Sequence, residues 1–401
     1  MRKILVIDPN CRNSSGHYYS TSRSLLNALP AARKFIAVHR RAEDGLEFGD
    51  GVTVWRWPDD RTLAGRIFRS VRKSRRYRQG WPARNVGIVL ELIARAGLGA
   101  QDVVIVHSSH SQLSQAMADA YRALPPASRP ELHLRHIWSE PSSGDPDFTP
   151  AHEALAALSD SPGIHVYAET VEMLAFMTAS YPYASVRQWP LPMVIDPSAP
   201  REEKSDPAEC FVIGMLGSKR REQGAGQIAP IVRALLDRGC RPASARMRIL
   251  LQLPSGSSSP RKRREEARRF VASLPDPAPE SGVQLEFLDP ILSTGDFRKA
   301  IHRSHVLLLP YEQESYGMRG SGLIIEGALS GTPVVVTHGF AMANWLDLAG
   351  SPRASDPAGY AEALRSVARD YPQYRAGALR AGEAVRQMIT ERLEDIRGGE
   401  F

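Results

Sequence analysis

One segment, residues 306–336, restricts the fold of this 401-residue chain more than any other. Two short apolar runs, Val306–Leu309 and Val334–Val336, predict buried strands. The residues between them are glycine-rich at first and then small and apolar. They predict a loop followed by a helix, which Gly331 and Pro333 end. A strand, a loop, a helix and a strand in this order are typical of an α/β unit with parallel strands.

The loop of this unit has the composition of an anion-binding site. Its glycines, among them Gly320 and Gly322, let the backbone approach a ligand closely. Ser321 stands where a helix N-cap is expected. Free N–H groups and the helix dipole favour phosphate at such a helix start. Glu326 is an acidic residue inside the otherwise apolar helix. Similar turns also occur without ligands, so the spacing alone leaves both interpretations open.

Length and composition limit the class of protein. A chain of 401 residues predicts about two domains. No apolar run reaches the roughly 18 residues that a membrane span needs, and the N-terminus predicts a first strand rather than a signal peptide. Cys11, Cys210 and Cys240 are far apart and predict neither a disulfide framework nor a metal site. These features favour the cytoplasm, and a net charge of +7 favours anionic partners.

Both halves of the chain alternate strands and helices, which predicts parallel sheets. In the first half the predicted strands are Lys3–Ile7, Lys34–His39, Val52–Trp57, Asp102–His107, Glu131–Trp138 and Ile164–Ala168, and the predicted helices are Ser20–Leu29, Val86–Arg95 and Val171–Ala179. In the second half further strands are Phe211–Leu216, Arg246–Gln252 and Val283–Phe287, further helices are Ile228–Asp237 and Phe297–Arg303, Pro254–Arg264 is an exposed loop, and Pro357–Glu394 is largely helical.

A proline-rich, charged stretch at residues 196–207 predicts the domain boundary. We expect an α/β protein with two Rossmann-like, doubly wound domains at 1–196 and 208–385. Residues 386–401 are expected to form a tail or helix that packs back on the first domain. Ligands of such sheets bind at the carboxyl ends of the strands, and we expect these ends to line a cleft between the domains.

The segment Glu326–Val335 resembles the second half of the E-x7-E motif, with its tail A-x-A-x-G-x-P-V-V, of retaining family 4 glycosyltransferases, which have the GT-B fold. The resemblance extends over most of the chain. It implies that Glu326 holds the ribose hydroxyls of a nucleotide sugar. Met318 stands where the first Glu of the motif belongs, as in a variant branch of these enzymes, and Glu312 or Glu314 is an alternative for that role.

The resemblance also implies a set of diphosphate-binding residues. The loop Gly217–Gly224 resembles the glycine-bearing loop that neutralises the diphosphate, with Arg220 in the place of the family's Arg. Gln223 stands where Lys is usual, and Lys219 or Arg221 is the candidate for the missing charge. Arg suits the growing charge of the leaving group because its fork is always charged. A solvated basic turn is the alternative. The run Arg319, Gly320, Ser321 and Gly322 is the second predicted diphosphate-facing turn.

In the first half the resemblance implies two further contacts. Gly16 and His17 belong to a stretch that resembles the flexible loop closing over donor and acceptor. His107 ends a strand that resembles the one whose His contacts the transferred sugar, and His110 is the alternative. Glu169 and Thr170 match a segment that lines the same cleft. A histidine at a strand end is more often an ordinary polar residue.

The activity implied is transfer of a sugar from a nucleoside-diphosphate sugar to a glycan or lipid-linked acceptor, with retained anomeric configuration, in surface polysaccharide or glycolipid synthesis. The expected catalytic residues are His107 and Glu326, and no metal or cofactor is expected. The alternative is a GT-B protein that binds a nucleotide sugar without transfer and acts as a scaffold. Met318 and Gln223 favour that alternative.

Residues 61–84 form a basic stretch without acidic residues, and Leu63, Ile67 and Val71 lie at helical spacing. A basic amphipathic helix is typical of peripheral attachment to an anionic membrane surface. A solvated helix with its apolar side toward the core fits equally well. Nucleic acid is not an expected partner, since no recognition motif accompanies the stretch.

Overall fold

The computed structural model describes residues 2–14, 17–30, 32–58, 80–138, 148–191, 204–217, 221–237, 246–254, 259–278 and 281–397. The chain divides into two compact units. The first contains Met1–Pro190 and Thr390–Phe401, and the second contains Leu191–Ile389.

The first unit is built on a parallel sheet, which has seven strands within the described residues. Their order is β3-β2-β1-β4-β5-β6-β7. The strands are β1 Lys3–Asp8, β2 Arg33–Val38, β3 Val52–Arg56, β4 Val103–His110, β5 Glu131–Trp138, β6 Ile164–Ala168 and β7 Val186–Gln188. The helices are α1 His17–Ala28, α2 Trp81–Ala96, α3 Ser111–Ala123, α4 Phe148–Leu158 and α5 Val171–Ser180, with a 3₁₀ turn at Pro126–Ser128.

The second unit contains a second parallel sheet, of six strands where the chain is described, in the order β10-β9-β8-β11-β12-β13. They are β8 Phe211–Met215, β9 Met247–Gln252, β10 Val283–Leu288, β11 Val306–Leu309, β12 Val334–Thr337 and β13 Arg353–Ala354. The helices are α6 Ile228–Asp237, α7 Pro260–Ser273, α8 Thr294–Arg303, α9 Gln313–Tyr316, α10 Gly322–Ser330, α11 Ala343–Ala349, α12 Pro357–Arg369 and α13 Tyr371–Arg397, with 3₁₀ turns at Arg221–Gln223 and Ala225–Gln227.

Central strands of both sheets are apolar on both faces because helices cover them. Val103–Val106 of β4 and Val306–Leu309 of β11 are completely buried. Such continuous apolar runs are typical of parallel sheets. The strand order reverses between β1 and β4 in the first sheet and between β8 and β11 in the second. Ligands of doubly wound sheets bind at the carboxyl ends of strands at such reversals, so each unit has one favoured place for a site.

The predicted fold class is confirmed, since both units are parallel sheets flanked by helices. Several predicted bounds are wrong. α1 begins at His17, three residues before the predicted Ser20, and α2 begins at Trp81. Pro254–Arg264 is not a loop throughout, because α7 begins at Pro260, where proline is favoured in the first helical turn.

The last helix, α13, belongs to both units. Near its middle, a Cβ at Gly382 would lie 2.1 Å from the carbonyl oxygen of Ala328, so this helix approaches the end of α10 closely. Its last turns lie on the first unit, where Arg187 Nη1 is 2.8 Å from Asp395 Oδ2. The division at Ile389 and Thr390 falls inside one continuous helix.

No helix among the described residues is both long enough and apolar enough to span a membrane.

Candidate functional site

In the second unit, the two loops predicted to bind diphosphate lie side by side. β8 and β11 pair directly, with Val306 opposite Ile213, so the loops that follow them leave the same edge of the sheet. The backbone N–H of Glu312 donates to the carbonyl oxygen of Glu222 over 3.0 Å. Two segments that are 90 residues apart in the sequence therefore form one surface.

Gly224 makes this approach possible. Its φ is 72°, in the left-handed region that favours glycine. A Cβ at this position would lie 1.9 Å from the carbonyl oxygen of Pro310. No other residue fits there without moving one of the two loops.

Gly217 begins the first of these loops, with a φ of 92°. Its N–H donates to Gln252 Oε1 over 2.8 Å, and Gln252 Nε2 donates to the carbonyl oxygen of Pro290. A Cβ on Gly217 would lie 3.3 Å from Tyr311 Oη and 3.5 Å from Leu323 Cδ1. The turn at Gly217 is therefore packed against the start of α10. The role of Gln252 was not predicted, although a polar residue at the end of an apolar strand indicates a candidate for a site at that edge of the sheet.

Glu326 lies on α10, and its residue is completely buried. The helix is buried over Leu323–Ser330 and ends at Gly331, whose φ is 64°. This burial separates Glu326 from the solvated acidic residues that most helices carry.

Ser321 lies at the predicted N-cap position of α10, but the predicted capping hydrogen bond of its side chain is absent. The N–H of Ile324, which a cap would bind, instead donates to the carbonyl oxygen of Ser321 over 3.0 Å. The backbone N–H of Ser321 contacts Met342 Sδ at 3.3 Å. The side-chain hydroxyl of Ser321 therefore does not occupy the start of the helix.

Aromatic side chains support the loop between β11 and α10. The rings of Tyr311 and Tyr316 are 4.6 Å apart, and that of Phe340 is 5.4 Å from Tyr316. The guanidinium carbon of Arg319 lies 5.0 Å from the centroid of the Tyr316 ring, a distance at which a cation is attracted to an aromatic face. Arg319 is thus held by the same loop that carries Met318.

The structure brings part of the predicted set together. Arg319, Gly320, Ser321 and Gly322 run into α10, and Gln223 is almost buried at the end of the neighbouring 3₁₀ turn. Gly16, Lys219 and Arg220 lie outside the described residues.

In the first unit, His107 and Asp8 lie on the neighbouring strands β4 and β1, where the strand order reverses. His107 is 1% exposed and Asp8 is 0% exposed. Ser22 Oγ donates to Asp8 Oδ2 over 2.9 Å and lies 2.8 Å from His107 Nε2. The prediction that His107 ends its strand is wrong, because β4 continues to His110, and His107 is part of a buried polar group. Asp8 and Ser22 were not predicted, although Asp8 ends an apolar strand.

Arg135 of β5 holds the backbone beside His107. Its Nη1 donates to the carbonyl oxygen of His107 over 2.9 Å, and its Nε donates to that of Trp189 over 2.6 Å. Its Nη2 is 3.0 Å from Glu169 Oε1. Burial lowers the pKa of Arg135, and the carboxylate of Glu169 opposes this effect. Glu169, which was predicted to line a cleft, is thus one partner of a buried arginine.

The remaining predicted residues of this unit have local roles. Thr170 caps α5, since its Oγ1 accepts from the N–H of Met173 over 3.1 Å. His110 precedes α3 and its ring lies 5.9 Å from that of Trp81. His17 is exposed in the first turn of α1 and not in a loop before it.

A second polar cluster lies at the amino ends of β5 and β6. Glu131 Oε1 is 3.0 Å from both His133 Nε2 and His165 Nε2, and these atoms are close enough to share a cation. The neighbours, however, saturate the cluster without one. Tyr167 Oη is 2.9 Å from His133 Nδ1, and Arg187 Nη2 is 3.3 Å from His165 Nδ1. A metal on both Nε2 atoms would place a proton on His165 Nδ1, opposite the N–H of Arg187.

Comparison with known proteins places this architecture among known folds. No family model matches the chain, and no curated protein matches it. Solved structures do match over the full length. The chain is similar to an α,α-trehalose-phosphate synthase (UDP-forming) from Burkholderia vietnamiensis, with 14% identity, a TM-score of 0.66 and coverage of 99% of each chain.

Two other similar structures are a sucrose-phosphate synthase from Thermosynechococcus elongatus and HepE from Anabaena in complex with UDP and glucose. The first has 12% identity and a TM-score of 0.64, covering 100% of this chain and 98% of that chain. The second has 13% identity and a TM-score of 0.59, covering 100% and 99%. These similarities show that the fold of this chain is the GT-B fold.

Proposed function

We propose that the protein is a glycosyltransferase that moves a sugar from a nucleoside-diphosphate sugar to a glycan or lipid-linked acceptor. The observation that carries the proposal is the surface of the second unit, where the loops after β8 and β11 meet beside the start of α10, with Glu326 buried on that helix. Backbone N–H groups at a helix start bind phosphate, and a buried carboxylate suits the ribose hydroxyls. The similar proteins include one named as UDP-forming and one solved with UDP and glucose, which supports a uridine nucleotide as the donor.

The proposed chemistry resembles that of the retaining family 4 enzymes. Departure of the diphosphate leaves a positively charged sugar, and the acceptor hydroxyl attacks the face from which the diphosphate left. The hydroxyl proton passes to the departing phosphate oxygen. Arg319 and the basic residues of the 217–224 loop stabilise the charge that grows on the leaving group. In this scheme His107 contacts the sugar, and neither a metal nor a cofactor takes part.

The donor part is tested by binding of UDP, GDP, ADP, CDP and UDP-glucose to the purified chain, measured by thermal shift and calorimetry. We expect Glu326→Gln to keep the fold and to weaken binding of the preferred nucleotide roughly 10- to 100-fold, because hydrogen bonds to a charged group contribute about 1.5–3 kcal/mol. The matched control is Glu265→Gln on α7, which removes one negative charge from the same unit at an exposed position. If Glu326→Gln and the control bind the nucleotide with equal affinity, Glu326 does not contribute to nucleotide binding.

A second candidate function is binding without transfer. Met318 occupies the place of the carboxylate that usually contacts the transferred sugar, and Gln223 occupies the place of a lysine. Nucleotide binding that is never accompanied by release of sugar, to any acceptor or to water, would favour this candidate. Failure of every nucleotide to bind would exclude both.

We further propose that the protein works in the cytoplasm and attaches peripherally to an anionic membrane surface through residues 61–84. Of this stretch, residues 61–79 lie outside the described residues, and the proposal rests on the sequence pattern. Flotation with lipid vesicles tests it.

A further inference from the structure

Three buried polar side chains form a relay between the end of β1, helix α1 and the second half of β4. Asp8, Ser22 and His107 are each at most 1% exposed. Ser22 Oγ lies between the other two, 2.9 Å from Asp8 Oδ2 and 2.8 Å from His107 Nε2. His107 Nε2 is also 3.4 Å from Asp8 Oδ2.

The chemistry of these groups fixes the direction of the hydrogen bonds. A carboxylate only accepts, whereas a hydroxyl has one proton to donate. Ser22 therefore donates to Asp8 and accepts from His107, so the proton of the neutral imidazole is on Nε2. Nδ1 is then left with its lone pair.

The two oxygens of Asp8 have different hydrogen-bond partners. Asp8 Oδ1 accepts from the backbone N–H of Asn10 over 3.2 Å and from Ser108 Oγ over 3.0 Å. A backbone N–H is a donor under all conditions, so the oxygen facing Asn10 must be an acceptor. The other oxygen consequently always faces Ser22.

The remaining ring nitrogen of His107 has no such partner. Nδ1 is buried and makes no hydrogen bond with any described residue, although Arg135 fixes the backbone of the same residue. Burying an acceptor without a partner is unfavourable. A site of this kind favours a ligand that brings its own donor.

We propose that Asp8 is a positioning residue that, through Ser22, keeps His107 in the Nε2–H form, so that Nδ1 accepts a hydrogen bond from a sugar hydroxyl. The sugar part of this inference rests on the proposed function. The tautomer part depends only on the relay.

The substitution Asp8→Asn tests the relay directly. Because the N–H of Asn10 requires an oxygen opposite it, the new amide must point its NH₂ group at Ser22. Ser22 then accepts from the amide and donates to His107 Nε2, which moves the imidazole proton to Nδ1. The matched control Ser22→Ala leaves the carboxylate of Asp8 facing Nε2 and is expected to keep the proton there.

The measurement is nitrogen NMR at pH 7.5 on protein labelled at its histidines, with the His107 signals assigned by His107→Gln. We expect the Nε2–H form in the wild type and in Ser22→Ala, and the Nδ1–H form in Asp8→Asn. The proposal is overturned if wild-type His107 carries its proton on Nδ1, a result that does not depend on any variant folding. It is equally overturned if folded Asp8→Asn keeps the wild-type tautomer.

The functional part uses hydrolysis of UDP-glucose as the probe. We expect Asp8→Asn to lower kcat roughly 10- to 100-fold, an effect as large as that of losing a residue that orients a metal-ligating histidine, with KM for UDP-glucose unchanged. An unchanged kcat would refute a role of the tautomer in turnover. Absence of UDP-glucose turnover in the wild type would count against the proposed donor, whereas NMR would still decide the role of Asp8.

Discussion

At the residue scale, the candidate donor site depends on positions where no side chain fits. Gly224 combines a positive φ with a carbonyl oxygen 1.9 Å from where a Cβ would lie. The sequence pattern alone does not distinguish it from its neighbour Gly226. The difference lies in the fold, because only Gly224 faces the chain after β11.

We expect Gly224→Ala to destabilise the protein by about 1–3 kcal/mol and to weaken nucleotide binding, because the strained φ and the contact with Pro310 force the two loops apart. Urea unfolding and calorimetry measure the two effects. Gly226→Ala is the matched control, since a Cβ at Gly226 meets nothing within 4 Å. If both variants unfold at the same urea concentration, close approach of the loops is not what Gly224 provides.

At the element scale, α4 shows why some helices escape prediction from sequence. Its residues are small or apolar on most sides, so no helical period stands out, and it was not predicted. In the structure it is held by aromatic packing: the ring of His152 stacks on that of Tyr181 at 4.9 Å and lies tilted against that of Phe148 at 4.5 Å. His152 Nδ1 lies 2.8 Å from Tyr183 Oη. Phe148 lies one turn before His152 on the same helix, but Tyr183 is 31 residues away in the sequence, and only the fold brings it and Tyr181 to α4.

This packing predicts a pH dependence of stability. Burial lowers the pKa of His152 from its ordinary value of 6.5 to about 4. Between these values the unfolded chain binds a proton that the folded chain does not, so stability is fully present above pH 6.5 and falls as the pH is lowered toward 4. In this range the uptake of one proton by His152 on unfolding lowers the free energy of unfolding by about 1.4 kcal/mol for each pH unit. We expect His152→Gln to remove this contribution. Urea unfolding from pH 7 to 4.5 measures the slope.

Tyr183→Phe is the matched control for this prediction, because it removes the hydroxyl near Nδ1 but leaves the imidazole buried. Its stability should decline with falling pH as steeply as that of the wild type. A slope for His152→Gln equal to the wild-type slope would show that His152 does not contribute to the acid sensitivity.

Apolar periodicity was sufficient for most strands and for the fold class, since buried parallel strands are continuous apolar runs. It was insufficient where a helix has too few apolar residues to show a helical period. Helix α7 is basic along most of its length, with only Phe270 buried, and therefore resembled a loop at its start. The Asp8–Ser22–His107 relay could not be predicted either, because it joins three segments whose register only the sheet defines.

At the scale of the whole molecule, the net charge is +7. The basic residues that cause it either bind an anionic partner or are solvated on the surface. Two stretches carry much of it: residues 61–84 and α7. In the first, nine basic residues accompany aromatic and aliphatic side chains without any acid. In α7, basic residues stand on both sides of Glu265 and Glu266, and Arg261 pairs with Glu265 over 3.1 Å. Charge and apolar surface together, rather than charge alone, favour a membrane interface.

We therefore expect the chain to float with vesicles that contain anionic lipid and to stay in solution with neutral vesicles. Replacing Arg72, Lys73, Arg75 and Arg76 with serine should abolish flotation, because each basic residue near an anionic leaflet contributes about 1 kcal/mol. The matched variant replaces Arg261, Lys262, Arg264 and Arg268 of α7 with serine, which removes the same four charges, and should still float. If both variants lose flotation to the same extent, the net charge of the molecule and not residues 61–84 causes the attraction. If neither variant loses it, the chain attaches to the membrane through another surface, and residues 61–84 form a solvated helix face.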